Sequence, residues 1–137
     1  MIVKDIRPAL RQFLLADIGI AAIVGARVYP LKIPQGINQA SIVYTRMGGP
    51  GDYHMQGPSH LARPRIQIDA WALTGDASVA LAGLIKDRID GFSGVMGSGG
   101  DAVTVQGVFQ VDEREDYDNA TKLHRVGRDF IFWHDES

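Results

Sequence analysis

The stretch RIQIDAWALTGDASVALAGLIKDRIDG, from Arg65 to Gly91, changes its hydrophobic period partway along. From Arg65 to Leu73 the residues alternate: Ile66, Ile68, Ala70 and Ala72 take one side and Arg65, Gln67 and Asp69 the other, the pattern of a strand with one buried face. Thr74 and Asp76 then open a helix running to about Asp90. Its Leu81, Leu84, Ile85 and Ile89 recur at helical spacing, and Gly91 ends it.

Working outward, the segment Asp5 to Ala16 sets Ile6, Leu10, Phe13 and Leu14 at helical spacing, with Pro8 tolerated in a first turn. Asp17 caps a short helical piece through Ile23, stopped by Gly25. Arg27 to Pro30 reads as a brief extended piece, and LKIPQGINQ as a loop. The β-branched and aromatic content of Ala40 to Met47 makes it a strand. Gly48 to Pro64 carries too many glycines and prolines for regular structure, and FSGVMGSGG reads as a flexible connector. Two more strands follow: Ala102 to Val111, with Val103, Val105, Phe109 and Val111 in phase, and Leu123 to His134. An acidic loop joins them. The expectation is a single α+β domain over residues 1–137. It has one antiparallel β-sheet of about four to five strands, with two main helices packed on one face.

Composition is that of an ordinary globular domain: 137 residues, 45% hydrophobic, 22% charged, net charge −2. With no cysteine there is no disulfide framework, thiolate metal site or thiol nucleophile. Asp112 to Asp118 holds five acids and one arginine, −4, which leaves the remainder at +2. Neither part, nor a pI near 6.0, matches a surface that grips nucleic acid. No targeting segment opens the sequence, and its longest mostly apolar run, Ile18 to Ala26, is too short to span a membrane; a cytoplasmic, membrane-free protein is expected.

Chemical motifs do not converge. The glycines at 94, 97, 99 and 100 follow a helix, whereas a phosphate cradle follows a strand and opens a helix. His124 and His134 are ten residues apart on one strand, roughly 33 Å, and cannot share an ion. His54 and His60 lie with Asp52 in the 48–64 loop, where solvated histidines are the plain reading. Acid pairs within the 112–118 run lack the desolvation that would separate their pKa values. No catalytic residue, cofactor or metal ligand is therefore assigned, and an enzyme is not expected.

The last strand stands out. Phe130, Ile131, Phe132 and Trp133 are consecutive and so point to both sheet faces, while helices on one layer cover only one. Either the chain buries both sides itself or the second face meets another subunit. Trp71, at odd parity beside Asp69, adds to that second face, and Trp71, Phe130, Phe132 and Trp133 are the candidate subunit interface.

Taken in order, IVGARVYP (Ile23 to Pro30), IPQG (Ile33 to Gly36), SIVY (Ser41 to Tyr44), GPSHLARPRIQIDAWALT (Gly57 to Thr74) and DFIFWHDE (Asp129 to Glu136) resemble the tail completion family of long-tailed phages. Its members are also called tail terminator or tail-to-head joining proteins, with relatives in prophages and gene transfer agents. The sequence departs from the family pattern at His60 and in its Gly-rich 94–100 segment.

The resemblance implies a structural subunit at the neck-proximal end of the virion tail, assembled in the host cytoplasm. It implies a homo-oligomeric, hexameric ring that caps the major tail tube protein, ends its polymerisation and meets the head-tail connector or head-completion protein. DNA passes through the lumen without specific binding. On that reading Asp52, Tyr53, His54, Met55 and His60 are candidates for docking the tube, and the loop acids Asp112, Glu113, Glu115, Asp116 and Asp118 for facing the lumen or a partner ring. The alternatives are a head-completion or neck adaptor protein, and a small cytoplasmic enzyme or ligand-binding domain with its site in the 48–64 loop.

Overall fold

A computed structural model describes residues 5–47 and 61–135. Among the described residues three helices form, two of them at side-chain caps. Helix α1, Arg7–Leu15, starts with Pro8 in its first turn, where the missing N–H loses no partner, and the Asp5 carboxylate accepts the Arg7 N–H at 2.9 Å. Helix α2, Ile18–Val24, is capped by Asp17, which accepts the Ile20 N–H at 3.1 Å, and stops at Gly25 with φ +60°. Helix α3, Gly75–Ile89, is capped by Thr74 accepting from Ala77, with Asp76 in its first turn and Lys86 and Arg88 in its last, each complementing the helix dipole.

The strands are β1 (Val28–Pro30), β2 (Ser41–Met47), β3 (Leu61–Ala62), β4 (Arg65–Ala72), β5 (Gly94–Met96), β6 (Val103–Asp118) and β7 (Leu123–Asp135). They form one curled sheet in the order β1-β2-β4-β7-β6-β5, with β3 also on β7. All three helices lie on one face. There Ile6, Leu10, Leu14, Ile20, Leu81, Ile85 and Ile89 pack on Ile42, Tyr44, Ile66, Ile68, Val126, Phe130 and Phe132 in a single core. Each such side chain, fully buried, contributes about 1.5–3 kcal/mol.

The α+β class and the helix-covered face are as expected, whereas the sheet is larger and mixed. Among the described residues it has seven strands, because β3 and β5 form in segments that read as loops and the brief extended piece joins as β1, which pairs parallel to β2. Leu61 and Ala62 pair with Asp135 and His134 in the same register that sets Arg65 opposite Ile131, so β3 and β4 are one strand interrupted at Arg63 and Pro64. The ladder survives the proline because its carbonyl accepts the Phe132 N–H at 3.0 Å. The Gly-rich connector becomes β5 plus a 3-10 turn, Gly99–Asp101, with Met96 fully buried. Gly97 is required there: its φ is +81°, and a Cβ would stand 2.8 Å from that of Ala9 on α1.

The acidic run is corrected from loop to strand, since all of Asp112 to Asp118 belongs to β6. Strand content tolerates these acids because arginines stand opposite them on β7: Glu113 faces Arg128, and Asp116 faces Arg125. The phase of β6 is corrected too. Bulges between Val105 and Gly107 and between Gln110 and Asp112 break the alternation. Val103, Val105 and Val108 are consequently buried, while Phe109 and Val111 are 56% and 45% exposed.

Candidate functional site

The sheet face without helices is the part of the molecule not committed to its own core. It is built from the odd positions of β4 and β7, from Gly107 and Phe109 of β6, and from Asp112, Arg114 and Asp116 beyond the second bulge. Its centre is charged and buried. Asp129, 2% exposed, accepts from Arg65 Nη2 and Nε at 2.8 and 3.1 Å and from Arg114 Nη2 at 2.7 Å. Arg114 also donates to Gln67 Oε1 at 2.5 Å and to Asp112 at 3.2 Å.

Asp69, 4% exposed, is less well served. Gln67 Nε2 donates to both its oxygens, at 2.9 and 3.0 Å, but the nearest guanidinium, Arg125, stands 3.9 Å away. Burial pushes its carboxyl above the usual carboxylate range, against the lowering effects of Gln67, Arg125 and Arg114. Arg125 is shared, bonding Asp116 at 2.9 Å and lying over Trp71 with its guanidinium 5.6 Å from the ring. Gly127, opposite Asp69, makes room for this carboxylate, because a Cβ there would sit 2.5 Å from Asp69 Oδ1.

Two flanks frame the charged centre. At one end Phe109, Ile131 and Trp133 form an apolar patch, with Arg63 5.9 Å from the Trp133 ring. At the other a hollow of about 510 Å³ opens between Trp71, Val43, Leu31, Asp69 and Thr121. The β6–β7 turn closes this end: Asp118 accepts from Thr121 Oγ1 at 2.7 Å and from the Ala120 N–H at 3.2 Å, which holds its carboxyl below the ordinary range.

Trp71 and Trp133 thus lie on the helix-free face. Phe130 and Phe132 do not: both are fully buried under the helices in the chain's own core, which removes them from any subunit surface of this fold. Of the acids, Asp112 and Asp116 turn toward the helix-free face and are ion-paired. Glu113 turns to the helix side and bonds Arg128 at 2.7 Å, Glu115 is exposed, and Asp118 holds the turn. Asp52, Tyr53, His54, Met55 and His60 lie outside the described residues.

Among the described residues no group of three His, Asp or Glu is placed to hold a metal ion. His134 is buried with Nδ1 donating to the Asp135 carbonyl at 2.6 Å, and burial pushes its pKa down; His124 packs on Tyr117. No helix among the described residues is long and apolar enough to cross a membrane. The sequence reading passed over Arg65, Gln67, Asp69, Arg114, Arg125 and Asp129 as a network. Their signal was alternation itself, Arg65-x-Gln67-x-Asp69 against Arg125-x-x-x-Asp129, which also describes a solvated face.

Comparison with known proteins agrees with this architecture. A chain of the virion of a native gene transfer agent particle superposes with a TM-score of 0.68 at 19% identity, covering 91% of this chain and 90% of that one. A second solved chain gives 0.52 at 16% identity, covering 90% and 93%. At such identities the likeness is one of fold. No curated protein sequence matches. The family described as tail completion protein gp17 matches residues 8–135, and on that match the chain belongs to this family of structural tail proteins.

Proposed function

We propose that the protein is a non-enzymatic ring subunit, hexameric when assembled, that caps the tail tube, ends its polymerisation and joins the tail to the head connector. The observation that carries this reading is the family match over residues 8–135. A closed ring needs two different patches on each subunit, related by a rotation that closes. The helix-free face supplies one candidate, around Phe109, Trp133 and Trp71. Tube docking is proposed for Asp52, Tyr53, His54, Met55 and His60. DNA passes the lumen freely on this reading, and a net charge of −2 fits a conduit that does not grip phosphate.

Particle mass in solution and negative-stain images, with and without the tail-tube protein of the same particle, test the proposal. The expected result is a six-subunit ring, formed alone or on tube ends, that stops tube growth. A chain that stays monomeric beside growing tubes and leaves their length unchanged overturns it.

A further inference from the structure

The two edges of the sheet are finished differently. On one side β1 is three residues long, Pro30 has no N–H, and Arg11 of α1 donates to the carbonyls of Val28 at 3.1 Å and Ala26 at 3.3 Å. That edge is closed. On the other side β5 covers β6 only from Val103 to Val105. Beyond it, Gly91 donates to the Val108 carbonyl at 2.9 Å and Asp90 accepts the Gln110 N–H at 3.3 Å. From Asp112 to Asp118 the strand pairs only with β7 among the described residues, leaving roughly 24 Å of open edge.

Alternate residues of an antiparallel strand turn their backbone groups away from the neighbour. Val108 and Gln110 do so, as their bonds show. The bulge after Gln110 shifts the phase by one, so Glu113, Glu115 and Tyr117 face outward beyond it. The amides of Glu113 and Tyr117 are covered by the side chains just before them, each bonded to Asp112 Oδ1 or Asp116 Oδ1 at 2.8 Å. The Glu115 N–H and the outward carbonyls of Glu113, Glu115 and Tyr117 have no such cover among the described residues.

An open edge invites pairing, and charge decides with what. A second copy of this edge would set Asp112, Glu113, Glu115, Asp116 and Asp118 against the same five acids, with Arg114 as the sole cation on the strand. We propose that the outer edge of β6 from Asp112 to Asp118 is a strand-addition site for an extended segment of another protein carrying Lys or Arg at alternate positions. The incoming strand donates to the carbonyls of Glu113, Glu115 and Tyr117 and accepts from their amides. As it does so, Asp112 and Asp116 swing off the Glu113 and Tyr117 amides and turn toward the partner's cations. Glu115 projects to the opposite face, exposed and without an ion pair among the described residues, and adds to the negative potential along the edge rather than touching those cations. This inference goes beyond the ring reading and does not depend on it.

The probe is acetyl-Lys-Thr-Lys-Val-Lys-Thr-Lys-amide, titrated into the full chain and read by amide hydrogen exchange. Protection of the Glu113, Glu115 and Tyr117 amides is expected to rise at least tenfold, with other strands unchanged. An analogue of equal charge, N-methylated at alternate amides, is expected to bind at least tenfold more weakly. Glu115→Pro, which removes one outward N–H, and Glu115→Lys, which keeps the backbone and reverses the charge, both weaken binding while leaving the thermal midpoint within a few degrees. Equal binding of the two peptides, protection elsewhere, or no binding at millimolar peptide overturns the proposal. So does a change of particle mass in Glu115→Pro with peptide binding intact, which would make the edge a joint between copies.

Discussion

The two faces of one sheet bury comparable groups by opposite means. Under the helices, Phe130, Phe132, Val126 and Ile66 exclude water through apolar contact alone. Across the same strands, one residue along, Asp129 and Asp69 are as deeply buried but depend on Arg65, Arg114, Gln67 and Arg125. Apolar packing is non-directional and forgiving of small shifts, whereas a buried carboxylate costs several kcal/mol unless its donors are in place. The first face therefore sets stability, and the second holds a fixed arrangement of charge.

Substitutions separate the two. Phe132→Ala is expected to cost about 3–5 kcal/mol in urea unfolding, the most of any change considered, because it opens a cavity in a core with no polar fallback. Asp129→Ala is expected to cost about 2 kcal/mol. It takes one acceptor from each of two guanidiniums, but these are 37% and 33% exposed and recover part of their hydration. A loss for Asp129→Ala as large as that for Phe132→Ala would break the contrast between the faces.

Gly127→Ala comes next, at about 1–3 kcal/mol, since the new methyl displaces the Asp69 carboxylate. The cost is expected to fall by at least about 1 kcal/mol in an Asp69→Ala background, a coupling that a double-mutant cycle measures. Additive losses would show that Gly127 is needed for its backbone rather than for the space above it.

The fold was legible where period and punctuation agreed. Ile66, Ile68, Ala70 and Ala72 alternate through one unbulged strand, and Thr74, Asp17 and Gly25 mark helix ends by chemistry that acts within a few residues. Legibility failed where the deciding partner was distant in sequence. The strand character of Asp112 to Asp118 comes from Arg125 and Arg128 across a hairpin, and the exposure of Phe109 from a bulge that composition does not announce. The make-up of the helix-free face was half visible. Odd parity puts Trp71 on the uncovered face, whereas the aromatic run reads as one candidate interface although parity splits Phe130 and Phe132 from Trp133. The burial of Asp69 and Asp129 has no signature in the sequence, because an alternating polar side looks the same whether water or arginine satisfies it.

Titration compares the faces at a smaller scale, below about 1.4 kcal/mol per pH unit for one proton. Burial lowers the pKa of His134 on the helix side and raises that of Asp69 on the other. The unfolded His134 takes up a proton near 6.5 that the folded ring refuses, so its contribution is complete above that pH and is lost as pH falls through the folded value. Asp69 acts the other way: its contribution is complete below 3.8 and is lost as pH rises through its elevated folded value. Denaturation midpoints between pH 7.5 and 5.5 are expected to fall for the natural chain and to fall less for His134→Phe. An identical slope in the variant would show that the histidine is not the group responsible.

The smallest effect on the fold is expected at the apolar end of the helix-free face. Phe109 is 56% exposed, pairs with Ile131 and adds little to the core, so Phe109→Asp is expected to change stability by no more than about 0.5 kcal/mol. Its consequence lies in assembly. An aromatic left in water beside Trp133 has area to gain only from a second surface, and a carboxylate placed there must be desolvated when that surface arrives. The proposed ring should therefore fail to close, or close only at much higher concentration, in a variant whose monomer unfolds at the natural temperature. If Phe109→Asp leaves particle mass unchanged, this end of the face lies outside the joint. The subunit contact then moves toward Trp71 and the hollow beside it, where Trp71→Ala is the next substitution to weigh.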